Sequence, residues 1–412
     1  MPAFVSFCEP THAGVHVAVA ALVRFAVCVC ATATLVACGP SVRPHVMAHV
    51  DTTGPCVPIG TWVAPATHER LTTPEAIDRA AASRIVLLGE EHTRSEDHLW
   101  QLQTIAALHG RRQHMVLGFE MFPRTAQPVL DQWVAGELDE RRFLAESGWK
   151  TFWQFPADLY LPIFRFARMN HVPMLALNVP RGLVSRVAEE GWDKVPPQER
   201  EGLSQPSPPS PEYHKSLAET YQEHIEEGRG LPHTDLSRFV AAQLVWDRAF
   251  AEALHAALQA RPDALVIGLI GSGHLEHGYG VPHQLASLGI ADVTVLLPWT
   301  ESRACADLVP DLADAVFGVP VMGTERARPI LGVQIEPVEG GVAVRRVSPE
   351  SVAAAAGIRD GDLIIAAAGF AVQTPGDLQD IVARQAPGTW LPLCVRRGAQ
   401  EIEIVARFPG DL

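Results

Sequence analysis

Two glycine turns in this chain end in histidine: Gly89-Glu90-Glu91-His92 and Gly271-Ser272-Gly273-His274. Glu120 follows Gly118-Phe119, and a polar segment reads Asn178-Val179-Pro180-Arg181. Two imidazoles and one carboxylate make a three-ligand set for a divalent metal with positions left open for water. In that chemistry His92, Glu120 and His274 hold the ion, and Glu120 or Glu91 serves as general base. The same side chains, joined by Asn178 and Arg181, can instead orient a carboxylate-bearing ligand such as a porphyrin. Each residue also has a plainer reading. A histidine at a strand end is often only a hydrogen-bonded turn residue. Glu120 can cap a helix or pair with Arg124, and Arg181 can hold a helix terminus or a buried carboxylate. Their shared position in the chain pattern argues for a site.

Each of these residues follows a short apolar run. Arg84–Leu88 ends at Gly89, Met115–Phe119 at Glu120, Val172–Leu177 at Asn178, and Ala264–Ile270 at Gly271; a fifth run is Val293–Leu297. Helical patterns separate them at 95–109, 125–133, 159–170, 181–191 and 237–258. Short continuous apolar strands alternating with helices predict an α/β fold: a mostly parallel sheet covered by helices on both faces. Ligands of such sheets bind beyond the carboxyl ends of the strands. Four strand ends therefore point His92, Glu120, Asn178 with Arg181, and His274 toward one crevice. A Pro/Ser-rich break at 196–211 and a polar helical stretch with Tyr213, His214, Tyr221 and His224 read as a helical cap, inserted over about 193–235.

Leu87–His92, Gly118–Glu120, Leu175–Arg181, Gln243-Leu-Val-Trp-Asp247 and Gly271–His274 with Gly280-Val-Pro282 occur in that order. Together they resemble the ChaN-type haem-binding uptake family of bacterial lipoproteins, in the wider Tiki/TraB group. The resemblance implies an α/β fold with a small cap and haem binding for iron acquisition. It also implies a tyrosine ligand and haems shared across a homodimer. Tyr213 and Tyr221 in the cap and Tyr279 in the Gly-Tyr-Gly-Val-Pro turn are the tyrosines it brings forward, beside His92, Asn178, Arg181 and His274. The Tiki branch implies instead a metal-dependent peptidase on His92, Glu120 and His274. A scaffold whose old active site is silent is a third reading. No nucleophile elbow, P-loop or Gly-x-Gly-x-x-Gly occurs in this region.

A second module follows a Pro-containing linker near 318–329. Ile330-Leu331-Gly332-Val333, Ser351–Ile358 and Gly361-Asp362-Leu-Ile are similar to a bacterial PDZ domain over about 328–409. That resemblance implies capture of a protein C-terminal peptide. Backbone N–H groups of Leu331-Gly332-Val333 would meet the terminal carboxylate, a strand edge would pair with the peptide, and Leu331, Leu378 and Val382 would line the side-chain pocket.

The 412 residues carry 33 basic and 47 acidic side chains, a formal net charge of −14. That balance argues against general nucleic-acid binding, which needs a basic face. Residues 1–37 read as a signal segment, with an apolar run from Phe25 to Ala37 too short to span comfortably. Leu35-Val36-Ala37-Cys38-Gly39 resembles a lipobox, which implies cleavage before Cys38 and its lipidation. The expectation is a chain anchored in the bacterial envelope, at the outer membrane facing the periplasm, on a tether over 38–69. Cys56, Cys305 and Cys394 then remain, widely spaced and without Cys-x-x-Cys, which predicts neither a zinc ribbon nor a disulfide scaffold.

Overall fold

The computed structural model describes residues 55–226, 235–321 and 329–410. The expected signal segment, Cys38 and the tether up to residue 54 lie outside the described residues. The first body is built on strands β1 Trp62–Ala64, β2 Glu69–Leu71, β3 Ile85–Leu88, β4 Met115–Pro123, β5 Met174–Asn178, β6 Leu265–Leu269, β7 Val293–Thr300 and β8 Ala315–Val319. Its helices are α1 Thr73–Ala82, α2 Ser95–His109, α3 Gln127–Ala135, α4 Glu140–Glu146, α5 Trp149–Phe152, α6 Leu161–Met169, α7 Arg181–Glu190, α8 Pro211–Glu226, α9 Leu236–Ala260 and α10 Val281–Ser287.

The strand order is β2-β1-β8-β7-β3-β6-β4-β5. From β8 to β5 every neighbouring pair is parallel, and β1 alone runs the other way, antiparallel to both β8 and β2. Successive side chains of a strand face opposite sides, and the core divides accordingly. Ile85 and Leu87 of β3 pack with the α7 and α9 side, whereas Val86 and Leu88 pack with the α2 and α6 side. Local chemistry sets the helix starts. Thr72 and Glu75 cap α1 reciprocally, and Asp235 caps α9 through the Arg238 N–H.

The mostly parallel α/β sheet expected from the sequence is present. The structure differs at its margins. β1 and β2 fall at the expected tether boundary, yet Val57 and Trp62 are buried in the body and β1 pairs with β8. Three-residue strands are too short to show a period. Around the expected cap, 193–235, the described residues divide between two clusters. Trp192, Val195 and Leu203 belong to the body core, while Tyr213 and Leu217 of α8 form a separate small cluster with Val240 of α9. Cys56 and Cys305 form a disulfide across 249 residues of chain, a pairing that spacing alone did not suggest.

The second body contains β9 Val333–Val338, β10 Gly341–Val347, β11 Leu363–Ala367, β12 Phe370–Ala371, β13 Trp390–Arg397 and β14 Gln400–Arg407, with α11 Val352–Ala356 and α12 Pro375–Ala383. The antiparallel order is β14-β13-β11-β10-β9, with β12 on β11, so β9 is an edge strand; α12 packs beside it. This is the β-rich PDZ arrangement expected from the sequence. Leu331, Leu378 and Val382 all sit in its buried core. The Gly361-Asp362 segment has a packing role. Asp362, 1% exposed, takes Arg397 Nε at 2.7 Å and Nη2 at 2.8 Å, and also the Arg359 N–H.

Two expectations follow from buried carboxylates. Asp362→Asn removes the buried member of an ion pair whose Arg397 is partly exposed and should lower the stability of the PDZ module by about 1–2 kcal/mol in chemical denaturation; no measurable loss would contradict this account. In the first body, Asp97 closes the turn from β3 to α2. Its Oδ2 accepts the Glu91 N–H at 2.9 Å and Arg94 Nη1 at 3.2 Å, while Oδ1 has no partner. Burial, opposed by Arg94 and the Glu91 N–H, pushes the Asp97 carboxyl up to about 7. Its folded pKa thus lies above its unfolded one, so the acid's contribution is full below about pH 4 and is lost as pH rises to about 7. Asp97→Asn should therefore gain at least about 1 kcal/mol relative to wild type between pH 4 and pH 7, measured by denaturant unfolding at both.

Candidate functional site

β3, β6, β4 and β5 are adjacent and parallel, so their carboxyl ends form one row. His92 follows β3, Glu120 lies in β4, Gly271 and His274 follow β6, and Asn178 ends β5. The convergence is close. A Cβ placed on Gly271 would lie 3.2 Å from His92 Cε1, 3.6 Å from Glu120 Oε2 and 3.9 Å from His274 Cδ2. Gly271 has no side chain, so these groups close around it. Its N–H donates to Glu120 Oε2 at 2.7 Å, and Asn178 Nδ2 donates to the Glu120 carbonyl at 2.9 Å.

Each imidazole is held from behind by a buried carboxylate. His92 Nδ1 lies 2.5 Å from Glu90 Oε1, and His274 Nδ1 lies 2.7 Å from Asp247 Oδ1. Glu90 is 1% exposed and Asp247 0%. Burial pulls the His92 pKa down. The hydrogen bond to Glu90 and the charges of Glu120, Glu90 and Glu91 outweigh it and raise the pKa to about 9. Burial also opposes the charged form of His274, where the charge and hydrogen bond of Asp247 prevail and move its pKa up.

The cleft in front of these groups has a volume of about 230 Å³. His92, Glu120, His274, Asn178 and Arg181 line it, and Trp153 and Trp246 form aromatic wall. The His92 ring meets Trp153 edge-on at 4.6 Å and Phe155 at 5.0 Å. Arg181 stands at the start of α7, where Nη2 donates to the Phe152 carbonyl. This cleft offers two imidazoles, one carboxylate, one guanidinium and aromatic surface to a single ligand.

Other singled-out residues lie elsewhere. Glu91 is exposed, and Glu90 beside it is the buried partner of His92. Tyr213 is 2% exposed and donates to Asp247 Oδ2 at 2.8 Å, a place that leaves it no face toward the cleft. Tyr279 stacks on His277 at 4.9 Å and Tyr221 lies against Phe239 at 5.4 Å; neither lines the cleft. Among the described residues, no group of three or more His, Cys, Asp or Glu is arranged to hold a metal ion. Glu120 Oε2 is engaged by the Gly271 N–H and both Nδ1 atoms by carboxylates, which leaves the two Nε2 atoms as the ring nitrogens open to a ligand.

The sequence reading missed Glu90, Asp247, Tyr160, Trp153 and Trp246 as parts of the site. Gln243-Leu-Val-Trp-Asp247 carried the available signal. On α9 it places Gln243 and Trp246 on the cleft and Asp247 beneath His274.

Comparison with known proteins agrees with this architecture. A family model described as haem-binding uptake, Tiki superfamily, ChaN matches residues 76–285, and a PDZ domain model matches residues 329–406. No curated protein matches the sequence. Among solved structures, the chain is similar to ChaN of Campylobacter jejuni, described with cofacial haem binding. Identity is 18%, with 62% of this chain and 95% of that one covered, at a TM-score of 0.48. The C-terminal module is similar to the HtrA3 PDZ domain bound to a phage-derived ligand, at 27% identity over 19% of this chain and 82% of that one, TM-score 0.18. It is also similar to a serine endoprotease from Yersinia pestis, at 32% identity over 20% of this chain and 29% of that one, TM-score 0.19. With residues 76–285 of the 412 matched, the chain belongs to the haem-binding uptake family ChaN of the Tiki superfamily.

Proposed function

We propose that the α/β body binds haem in the cleft between His92 and His274, and that the protein is an envelope lipoprotein serving iron acquisition. The observation that carries this reading is the convergence of His92, Glu120 and His274 on Gly271, where an added Cβ would meet all three within 4 Å. The residues present fit the group. Imidazole nitrogen is a ligand for haem iron, aromatic walls suit the macrocycle, and Arg181 can pair a propionate. Bound haem would supply a ligatable iron, two carboxylates and a flat apolar face. The chain would supply Nε2 of His92 or His274, the guanidinium of Arg181 and the ring surfaces of Trp153 and Trp246.

The cleft, at about 230 Å³, falls below the roughly 300–1,000 Å³ that encloses a small molecule. One copy would therefore not enclose a porphyrin, which supports the homodimer implied by the family resemblance. The lipobox-like segment before Cys38 supports export and anchoring. The Cys56–Cys305 disulfide supports an oxidising compartment, where such bonds persist. In the PDZ module, the β9 edge and the Leu331–Val333 turn beside α12 support capture of a protein C-terminus.

Titration of the purified full chain with hemin should shift and sharpen the Soret band at about one haem per binding cleft. His92→Ala and His274→Ala together should weaken binding at least tenfold, as loss of an iron ligand requires, and Arg181→Ala should weaken it less. A spectrum identical to free hemin, or a double variant that binds like wild type, would end the proposal.

A further inference from the structure

The two histidines are backed by the same arrangement twice. In one, Tyr160 Oη lies 3.3 Å from the His92 carbonyl and 3.5 Å from Glu90 Oε2, so that it braces the His92 segment as well as the acid, while Glu90 Oε1 holds His92 Nδ1. In the other, Tyr213 Oη donates to Asp247 Oδ2 at 2.8 Å while Asp247 Oδ1 holds His274 Nδ1. The carboxylates are 1% and 0% exposed, and the tyrosines 0% and 2%. Neither phenol comes from the segment that carries its histidine. Tyr160 sits at the start of α6 and packs on His98 and Trp149. Tyr213 belongs to α8, which packs on α9 as the small cap cluster.

A buried carboxylate is costly to keep unless each oxygen has a partner. Here one oxygen of each meets an imidazole through Nδ1; the other takes the Tyr213 phenol at Asp247 and faces the Tyr160 phenol and the His98 ring at Glu90. Room is also reserved for the arrangement: a Cβ on Gly280, in the Gly-Tyr-Gly-Val-Pro turn, would lie 2.8 Å from Asp247 Oδ1. An imidazole bonded through Nδ1 to a fixed carboxylate is held in rotation, and its Nε2 becomes the atom presented forward.

We infer that Glu90 and Asp247, braced by Tyr160 and Tyr213, are positioning residues that fix both imidazoles through Nδ1 and present two Nε2 atoms to one cleft. The inference deepens the haem reading, and its first test is independent of that reading. Through Tyr213, the orientation of His274 also depends on the seating of the cap helix α8.

The test uses the full chain in detergent, labelled with ¹⁵N-histidine. Wild type should show two strongly downfield Nδ1–H proton signals, one lost in Glu90→Gln and the other in Asp247→Asn. Absence of these signals from folded wild type would overturn the inference, whether or not hemin binds. Hemin is the ligand probe for the second measurement. Each carboxylate variant should weaken it about 10–100-fold, and Tyr160→Phe or Tyr213→Phe about three- to tenfold. Wild-type binding with variant affinities unchanged within twofold would also overturn it. Should the carboxylate variants fail to fold, the two phenylalanine variants decide: unmoved Nδ1–H signals and unchanged affinity refute the bracing. A wild type that binds no hemin but shows both signals refutes the haem reading and keeps the positioning roles.

Discussion

Insertion of β6 between β3 and β4 is the constraint on which the site depends. β3 and β4 are consecutive in the sheet-forming part of the chain but not neighbours in the sheet. With β6 seated between them, the turn after β6 falls between the ends of two strands formed far earlier in the sequence. Parallel pairing then aligns the three ends, because Leu88 and Phe119 both sit level with Leu269. A strand of opposite direction at that position would send His274 to the far end of the sheet. The site is thus a consequence of strand order and direction before it is a consequence of any one side chain.

That placement puts charge at the edge of a dry core. Leu88, Phe119 and Leu269 are fully buried one or two residues before Glu90, Glu120 and Gly271 in the chain. In such surroundings an uncompensated carboxylate costs several kcal/mol, and each acid near the cleft is matched in a specific way. Glu90 has His92 and Tyr160, with His98 Nε2 3.6 Å from its second oxygen. Asp247 has His274 and Tyr213, and Glu120 has the Gly271 N–H. The aromatic cluster of Trp149, Trp153, Phe155 and Tyr160 supports the first of these sets, keeping water from the Glu90–His92 pair while exposing one third of the His92 side chain.

Much of this was legible in the sequence, and the rest was not for physical reasons. The five apolar runs that became β3–β7 read clearly, since a strand buried on both faces must be apolar at every position. The polar residue at each end was equally plain. Strand order is not encoded locally, so convergence was an expectation drawn from the general behaviour of parallel sheets. Glu90 and Glu91 are adjacent and chemically identical; which one turns inward is set by the backbone after β3, and the sequence reading favoured the exposed one. Tyr213 shows the opposite case. Its cap position drew attention to it as a ligand, but its burial against Asp247 gives it a supporting place. β1, β2 and the Cys56–Cys305 bond depend on contacts with β8 and the end of β7, distant in sequence and without a local pattern.

Buried carboxylates also distinguish the two modules by the work they do. In the PDZ module Asp362 joins the segment before β11 to β13 through a bidentate contact with Arg397. Its carboxyl is held below the ordinary range because Arg397 overcomes the effect of burial. The acid there is fully satisfied and contributes only to the fold. Asp97 in the α/β body is different: one oxygen closes a turn, the other has no partner, and its pKa rises. Its cost is tolerated at the turn carrying Glu91 and His92, where the backbone must leave β3 on a fixed course. Stability is given up at the turn after β3, whereas the PDZ module places its buried acid where stability is gained.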